Sequence, residues 1–256
     1  MRTKKIIMLS ISSDIAFKIA EHFIKKKFKI IGTYKTQSDN VEKLKLLGVK
    51  LYKLDLGNKK KIDQVAKKIS QFSNNNWDYF ISFAGKLDPV EKIIKSNSDV
   101  WEKSIYVNSL GQIRFLKKIL YNNSKKRKIL FFSGSGTNGP KIDLSAYTLS
   151  KILLIKFVEL LDSEEKLLIT CILGPGFIDT KIHKIKTSPL SQERKKSIEK
   201  MIEFITWLFQ QPKNVVSGRN FSLNNDLWKN EKIKKLLLKD NNIYKLRRFG
   251  NETKIK

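Results

Sequence analysis

Cysteine, histidine and long apolar runs are scarce in this chain, and each scarcity excludes a class of protein. One cysteine, Cys171, in 256 residues excludes an intramolecular disulfide framework and suits a reducing cytoplasm. No apolar run approaches the length of about 18 residues that a membrane-spanning helix needs, so we expect no such helix. His22 and His183 have no cysteine or carboxylate companions at metal-ligand spacing, so we expect no metal site.

Arginine is scarce as well, although the formal net charge is +28. Only seven of the 52 basic residues are arginine, and the lysines are spread over nearly every segment. Nucleic-acid binding normally needs basic residues concentrated on one face, so we expect no specific nucleic-acid partner. A positive field would still steer a phosphate-bearing ligand toward the protein.

Short apolar runs rich in β-forming residues alternate with amphipathic helical segments up to about residue 222. This alternation is typical of an α/β fold with a doubly wound parallel sheet and helices on both faces. The predicted strands are 5–10, 28–34, 49–54, 78–83, 128–133, 167–173 and 215–222. The predicted helices are 14–26, 60–72, 99–122, 146–163 and 191–210. We expect one Rossmann-like domain over 1–225, with 226–256 forming a helix and basic tail packed on it.

Tyr147 and Lys151 are four residues apart at the start of an apolar helical segment, so they share one helix face. A nearby ammonium lowers the pKa of a phenol toward neutrality, and the phenol then exchanges a proton with a carbinol or carbonyl. The same spacing recurs at Tyr121 and Lys125, but there the tyrosine ends a helix and runs into a basic stretch. We therefore predict that the first pair is the functional one.

Small and polar residues follow the ends of the predicted strands, which right-handed crossovers bring to one rim of the sheet. In chain order they are Ser10-Ile-Ser-Ser-Asp-Ile-Ala16, Gly32-Thr-Tyr-Lys35, Leu54-Asp-Leu56, Ser82-Phe-Ala-Gly85, Asn108, Ser133-Gly-Ser-Gly136 and Gly174-Pro-Gly-Phe-Ile-Asp-Thr180. This ordered set resembles the short-chain dehydrogenase/reductase family over essentially the whole chain. Residues 217–228 and 244–249 look like the closing segments of a bacterial subgroup that carries Ser-Gly-x-Gly before its tyrosine.

The resemblance implies an oxidoreductase that interconverts a secondary alcohol and a ketone with a nicotinamide cofactor. Tyr147 would then be the proton donor or acceptor, and Lys151 would bind the nicotinamide ribose and tune the tyrosine. Asn108 would support the site through a helix and a bound water. Since members of the subgroup often occur with polysaccharide or sugar-modifying enzymes, the resemblance hints at a small polar, sugar-like substrate.

The resemblance also implies a set of cofactor-binding positions along the rim. They are Ser10, Ser12, Ser13, Asp14, Ile15, Tyr34, Lys35, Asp55, Leu56, Ala84, Gly85, Tyr147, Lys151, Pro175, Gly176, Ile178 and Thr180. Asp55 would contact the adenine, the Ala84-Gly85 turn would pass beneath the cofactor, and Thr180 would hold the carboxamide.

Three departures from the family pattern bear on function. The glycine positions of the first turn are Ser10, Asp14 and Ala16, and a carboxylate at Asp14 occupies the positive helix end that a pyrophosphate would use. We therefore expect weaker cofactor binding. The usual serine position falls on Gly134, and a one-residue shift in the loop would give Ser133, the preferred candidate, or Ser135.

Ser82 and Phe83 replace paired asparagines, which predicts the loss of side-chain anchors but not of the space for the cofactor. At the end of the second strand, Lys35 and the absence of a carboxylate favour NADP, while Asp39 keeps NAD open. The altered first turn and serine position also support a second hypothesis, a binding or scaffold protein that keeps the fold without the activity. Helices 99–122 and 146–163 correspond to those that pair subunits in the family, which predicts a homodimer or homotetramer.

Overall fold

A parallel sheet of seven strands lies at the centre of the computed structural model, which describes residues 2–121, 123–134, 136–176 and 192–247. The strands are β1 (Lys5–Leu9), β2 (Lys29–Tyr34), β3 (Lys50–Lys53), β4 (Tyr79–Ser82), β5 (Arg127–Phe132), β6 (Leu168–Gly174) and β7 (Arg219–Ser222). The helices are α1 (Asp14–Lys25), α2 (Asp39–Leu46), α3 (Lys59–Ser73), α4 (Ser98–Ile105), α5 (Gly111–Leu120), α6 (Ser145–Glu164), α7 (Gln192–Gln210), α8 (Lys213–Val216) and α9 (Glu231–Lys239). A 3₁₀ turn at Ile93–Lys95 precedes α4, and a π-helical segment, Tyr106–Leu110, joins α4 to α5.

The strand order is β3-β2-β1-β4-β5-β6-β7, and every neighbouring pair is parallel. The predicted doubly wound α/β fold is therefore confirmed. The chain order reverses between β1 and β4, and in such sheets ligands bind outside the carboxyl ends of the strands at this switch point. The rim of the sheet at β1, β4 and β5 is therefore where a site is expected.

The strands form because short runs of apolar residues are buried on both faces of the sheet. In β1, the four residues from Ile6 to Leu9 have no exposed surface. A parallel sheet covered by helices on both sides buries both sets of side chains, which explains the continuous apolar runs. One core lies between the sheet and α1 and α7, and the other between the sheet and α3, α5 and α6.

Most predicted element ends agree with the structure within one or two residues, but three predictions were wrong. Helix α2 was missed because it is short and buries only Val41 and Leu44. The strand predicted at 215–222 begins only at Arg219, since α8 extends through Val216 and Gly218, with a φ of 72°, lies between the two elements. The helix predicted at 99–122 is interrupted by the π-helical segment.

The segment after β7 folds back against the edge of the sheet. The Arg219 guanidinium donates to the carbonyls of Leu237 and Asp240 at the end of α9. The Asn220 N–H donates to the Tyr244 carbonyl at 2.7 Å, so the last described residues lie along the outer side of β7. In the parts of the chain that the structure describes, no helix has the length and apolar character to cross a bilayer.

Candidate active site

Tyr147 and Lys151 lie in the first two turns of α6, on the face toward the sheet. Lys151 is almost fully buried, and its ammonium donates to the Phe132 carbonyl at 3.0 Å and to the Ala84 carbonyl at 3.4 Å. The ammonium nitrogen is 5.4 Å from the centre of the Tyr147 ring. The carbonyls at the ends of β4 and β5 therefore fix the cation beneath the tyrosine.

The second Tyr-x-x-x-Lys pair has a different environment. Tyr121 is 76% exposed just after α5, and the Lys125 ammonium donates to Asn76 at 3.0 Å. The structure thus separates the two motifs by burial.

The Tyr147 hydroxyl packs directly against the backbone of Gly134. A Cβ built on Gly134 would lie 2.3 Å from the Tyr147 hydroxyl oxygen, well inside van der Waals contact. A serine at position 134 would therefore displace the tyrosine.

Burial dominates the electrostatics of the pair. It raises the pKa of the Tyr147 phenol, and it lowers the pKa of the Lys151 ammonium to about 8. The predicted lowering of the phenol pKa was therefore wrong, because removal from water disfavours the phenolate more than the ammonium stabilises it. At neutral pH the phenol keeps its proton and the lysine is mostly cationic, a state suited to proton donation.

Ser133 lies at the end of β5 and is buried, with its hydroxyl donating to Asn220 Oδ1 at 3.2 Å. A Cβ on Gly174 of β6 would come within 3.0 Å of this hydroxyl, so glycine there leaves it room. Asn220 was not among the predicted site residues, because it is 87 positions from its partner and no local pattern links them. Ser135, the second candidate, lies outside the described residues.

Asn108 lies in the π-helical segment and holds the turn after β4 through one side-chain amide. Its oxygen accepts from the Lys86 N–H at 2.7 Å, and its nitrogen donates to the Lys86 carbonyl at 2.7 Å. The nitrogen also approaches the Ser104 hydroxyl at 3.3 Å. Single π-helical turns are frequent at functional sites, and this one places the amide beneath the Ala84-Gly85 turn.

A second buried amide, Gln112, extends this network and was missed by the sequence analysis. Ser82 donates to Gln112 Oε1 at 2.6 Å, while Gln112 Nε2 donates to the carbonyls of Asn108 at 2.5 Å and Ala84 at 3.3 Å. Ser82 is therefore held by Gln112 beneath the turn that follows β4. Gln112 is four residues after Asn108 on the same helical face, and this spacing was the signal that could have revealed it.

The turn after β1 is built without the expected glycines. Ser10 has a φ of 60°, in the left-handed region that glycine adopts most easily, and its N–H donates to Thr33 Oγ1 at 3.0 Å. A non-glycine residue in this region costs on the order of 1 kcal/mol. The turn therefore keeps the shape of a glycine turn at the expense of strain.

Two serines and an aspartate shape the start of α1. Ser13 caps the helix by accepting from the Ala16 N–H at 3.2 Å. Asn40 donates to Asp14 Oδ1 at 3.0 Å and to the Ser12 carbonyl at 3.2 Å, so it links α1 to α2. The next residue, Ile15, is half-buried against the core. The carboxylate thus remains at the positive helix end, as the sequence predicted.

Lys35 and Asp55, at the ends of β2 and β3, form an ion pair of 2.9 Å. Burial alone would raise the pKa of Asp55, but the hydrogen bond from the Gly57 N–H and the charge of Lys35 hold it below its ordinary value. Tyr34 is half-buried at the end of β2. The next rim residue, Leu56, is buried, and its carbonyl lies so close to α5 that only glycine fits at position 111.

Gly85 faces open space beside the lysine. Among the residues that the structure describes, the nearest atom to a Cβ built there is Lys151 Nζ, at 4.0 Å, so none of them fills the groove over the Ala84-Gly85 turn. On the opposite side, Gly176 follows Pro175 with a φ of 76° and packs against Asn224. Ile178 and Thr180 lie outside the described residues.

Comparison with known proteins gives one family and many similar folds. A family model of the short chain dehydrogenases matches residues 4–190, well over half of the chain. Comparison with curated proteins gives no match.

Among solved structures, a short-chain dehydrogenase/reductase from Serratia marcescens has a TM-score of 0.73 at 15% identity, covering 86% of this chain and 95% of that one. A Shigella flexneri protein named as a short chain dehydrogenase and complexed with NADP has a TM-score of 0.73 at 17% identity, covering 87% and 98%. These identities show a shared fold alone, whereas the family match covers the strand ends that build the site. The chain therefore belongs to the short-chain dehydrogenase/reductase family of oxidoreductases.

Proposed function

We propose that this protein is an NADP-dependent oxidoreductase that interconverts a secondary alcohol and a ketone on a small polar, sugar-like substrate. The observation that carries the proposal is the pairing of a protonated phenol with a buried ammonium at the ends of β4 and β5. Tyr147 donates its proton to a carbonyl oxygen in reduction and takes it back in oxidation. Lys151 stabilises the transient phenolate, which is why its location beneath the ring matters.

The residues around the groove fit a nicotinamide dinucleotide. Within the described parts of the chain, the space over Gly85 is open next to the Lys151 ammonium, which donates two hydrogen bonds there and keeps a third N–H for a ribose hydroxyl. Asp55, kept ionised, suits contact with adenine. The left-handed Ser10 preserves the tight turn before α1. When bound, the nicotinamide supplies or accepts the hydride.

NADP is favoured over NAD by Lys35, which ends β2 where an acidic residue would select the unphosphorylated ribose. Asp55 already neutralises part of this charge, so a 2′-phosphate would have to compete for the lysine. The NADP complex of the similar Shigella flexneri structure supports the same choice. Asp39 is the first residue of α2 and keeps NAD as the second possibility.

Cofactor titration tests the proposal first. NADPH and NADH are added to the purified protein while fluorescence and melting temperature are followed, and NADPH is expected to stabilise the protein at lower concentration than NADH. Failure of both cofactors to bind would favour the scaffold hypothesis, to which the strained Ser10 and the acidic Asp14 already point.

A pair of matched variants then tests the proton carrier. Tyr147→Phe is expected to lower kcat by roughly 100- to 10,000-fold for any carbonyl substrate that the wild type reduces, with NADPH affinity nearly unchanged. Tyr121→Phe, in the exposed copy of the same motif, is expected to have wild-type kcat. Equal activity in both variants would refute the assignment of Tyr147.

We further propose a homodimer or homotetramer in the cytoplasm, with 1–225 as the catalytic domain and 226–256 packed on it. Helices α5 and α6 support pairing, because Leu149 and Leu160 of α6 are about half exposed, as is Leu110 just before α5. Light scattering coupled to size exclusion measures the mass directly. A monomer at micromolar concentration would refute the oligomer.

A further inference from the structure

A cavity of about 230 Å³ lies between α6, β7 and the segment 244–246. We call it the Asp226 cavity. It adjoins the candidate active site, because Asn220 lines it and accepts the hydrogen bond of Ser133. The residue after Ser133 is Gly134, which touches the Tyr147 hydroxyl. The wall of this cavity is therefore connected to the candidate active site through Asn220 and Ser133.

Uncharged polar groups dominate the wall of the Asp226 cavity. The polar side chains along β7 and the two adjoining loops are Thr137, Asn138, Asn220, Ser222, Asn225 and Asp226. Amides and hydroxyls both donate and accept hydrogen bonds, and the hydroxyls of a sugar do the same. An apolar ligand would leave these groups without partners, which disfavours its binding.

Asp226 is the carboxylate of the wall and has no cationic partner within the described residues. One of its oxygens accepts from the Ser222 N–H at 2.6 Å, which leaves acceptor capacity on the carboxylate. Asp226 is half-buried, and this burial raises the pKa of its carboxyl. A hydroxyl of a ligand would donate a hydrogen bond to this carboxylate.

Tyr244 and Lys245 close the other side of the cavity. The Tyr244 ring packs edge-on against Phe221, with centroids 5.2 Å apart. Burial and the charge of Asp226 raise the pKa of the phenol, so it remains a hydrogen-bond donor at neutral pH. The Lys245 ammonium donates to Asn241 Oδ1 at 2.9 Å. The wall thus combines a rigid aromatic ring with paired donors and acceptors.

We infer that the Asp226 cavity binds a neutral polyhydroxylated group, such as a sugar ring, with Asp226 accepting from its hydroxyls. The inference rests on the proposed function, since this group would belong to the molecule whose carbinol or ketone reaches Tyr147. It also goes beyond that function, because it assigns recognition of the substrate to β7 and the C-terminal segment.

Direct binding of simple sugars tests the inference without requiring turnover. Glucose, galactose and N-acetylglucosamine are the probes, cyclohexanone and inorganic phosphate are the comparison ligands, and saturation-transfer NMR reports binding with and without NADPH. At least one sugar is expected to bind, and Asp226→Asn is expected to weaken it about tenfold, the effect of removing a charge-assisted hydrogen bond. The asparagine keeps an acceptor for the Ser222 N–H, so the turn is retained.

Asp240→Asn is the matched control. Asp240 also accepts from a backbone N–H two residues on, at 2.7 Å, but it is exposed and outside the cavity wall. Sugar binding is expected to be unchanged in this variant.

A second variant, Asn225→Ala, truncates an exposed lining residue and is expected to weaken binding severalfold with the melting temperature unchanged. Preferential binding of cyclohexanone or phosphate, no sugar binding, or equal losses in Asp226→Asn and Asp240→Asn would overturn the inference. NADPH binding, measured in the same samples, reports separately on the proposed function.

Discussion

The turn after β4 and the turn after β1 differ in how hydrogen bonds satisfy their polar groups. Beneath the Ala84-Gly85 turn, two buried amides, a serine and an ammonium hold backbone carbonyls and an N–H at short distances. In the turn after β1, Ser10 is strained and a carboxylate begins α1. The comparison teaches that the turn after β4 has its buried polar groups paired, whereas the turn after β1 combines a left-handed serine with a carboxylate at a helix start. Turnover and cofactor affinity are therefore expected to respond to different residues.

Among the variants that distinguish these two regions, Gly134→Ser is expected to have the largest effect on kcat, because it perturbs the contact between Gly134 and Tyr147. The new side chain would overlap the Tyr147 hydroxyl, so kcat is expected to fall about 100-fold and stability by about 1–3 kcal/mol, the usual cost of overpacking. Gly139→Ala is the control, because a Cβ there has no atom within 4 Å. The loss of NADPH absorbance measures kcat, and the melting temperature measures stability. Wild-type kcat in Gly134→Ser would show that the phenol does not need this contact.

Substitution of Gln112 removes its hydrogen bonds with Ser82, Ala84 and Asn108 and leaves the Tyr147 side chain unchanged. Gln112→Leu would leave the Ser82 hydroxyl and the carbonyl of Asn108 without their partner, and it is expected to lower the free energy of unfolding by about 2–4 kcal/mol. Urea denaturation measures the change. Gln64→Leu, on an exposed position of α3, serves as the control. A loss below about 0.5 kcal/mol would mean that the network is not stabilising.

The buried Lys151 predicts a pH dependence of stability. Its pKa is about 8 in the folded protein and near 10.5 when unfolded, so between these values the unfolded state binds more protons. The contribution of Lys151 to stability therefore rises with pH across this window, by about 1–3 kcal/mol. Lys151→Met is expected to remove this rise. Urea titrations at pH 7 and pH 10 give the free energy of unfolding of both proteins. The same change with pH in wild type and in Lys151→Met would contradict the lowered pKa of Lys151.

The smallest effect is expected at the start of α1, next to the turn after β1. Asp14→Asn keeps a side-chain oxygen near Asn40 but removes the charge from the start of α1, so NADPH is expected to bind roughly twofold to fivefold more tightly. Helix stability is expected to fall by about 0.3–1 kcal/mol for the same reason. Asp99→Asn, in the first turn of α4, is the control. Weaker NADPH binding in Asp14→Asn would show that the carboxylate assists the cofactor.

Much of the candidate site was predictable from the sequence, because residue spacings and apolar runs within short segments indicate it. The four-residue spacing of Tyr147 and Lys151 fixed their shared face, and the apolar runs located the strands whose ends carry Ser10, Asp55 and Ala84. The contacts of Asn220 with Ser133 and of Asn40 with Asp14 were not predictable, because they join residues 87 and 26 positions apart. Only the strand order brings such residues together.

The sequence by itself determined the alternation of strands and helices, the choice of residues at each strand end and the absence of glycine from the first turn. Tertiary structure alone decided the direction of the phenol pKa, since that depends on how completely the sheet and the Gly134 loop exclude water. It also decided that β7 and the C-terminal segment share a polar cavity with the loop after β5. Both follow from packing between distant segments, and hydrophobic periodicity carries no information about that packing.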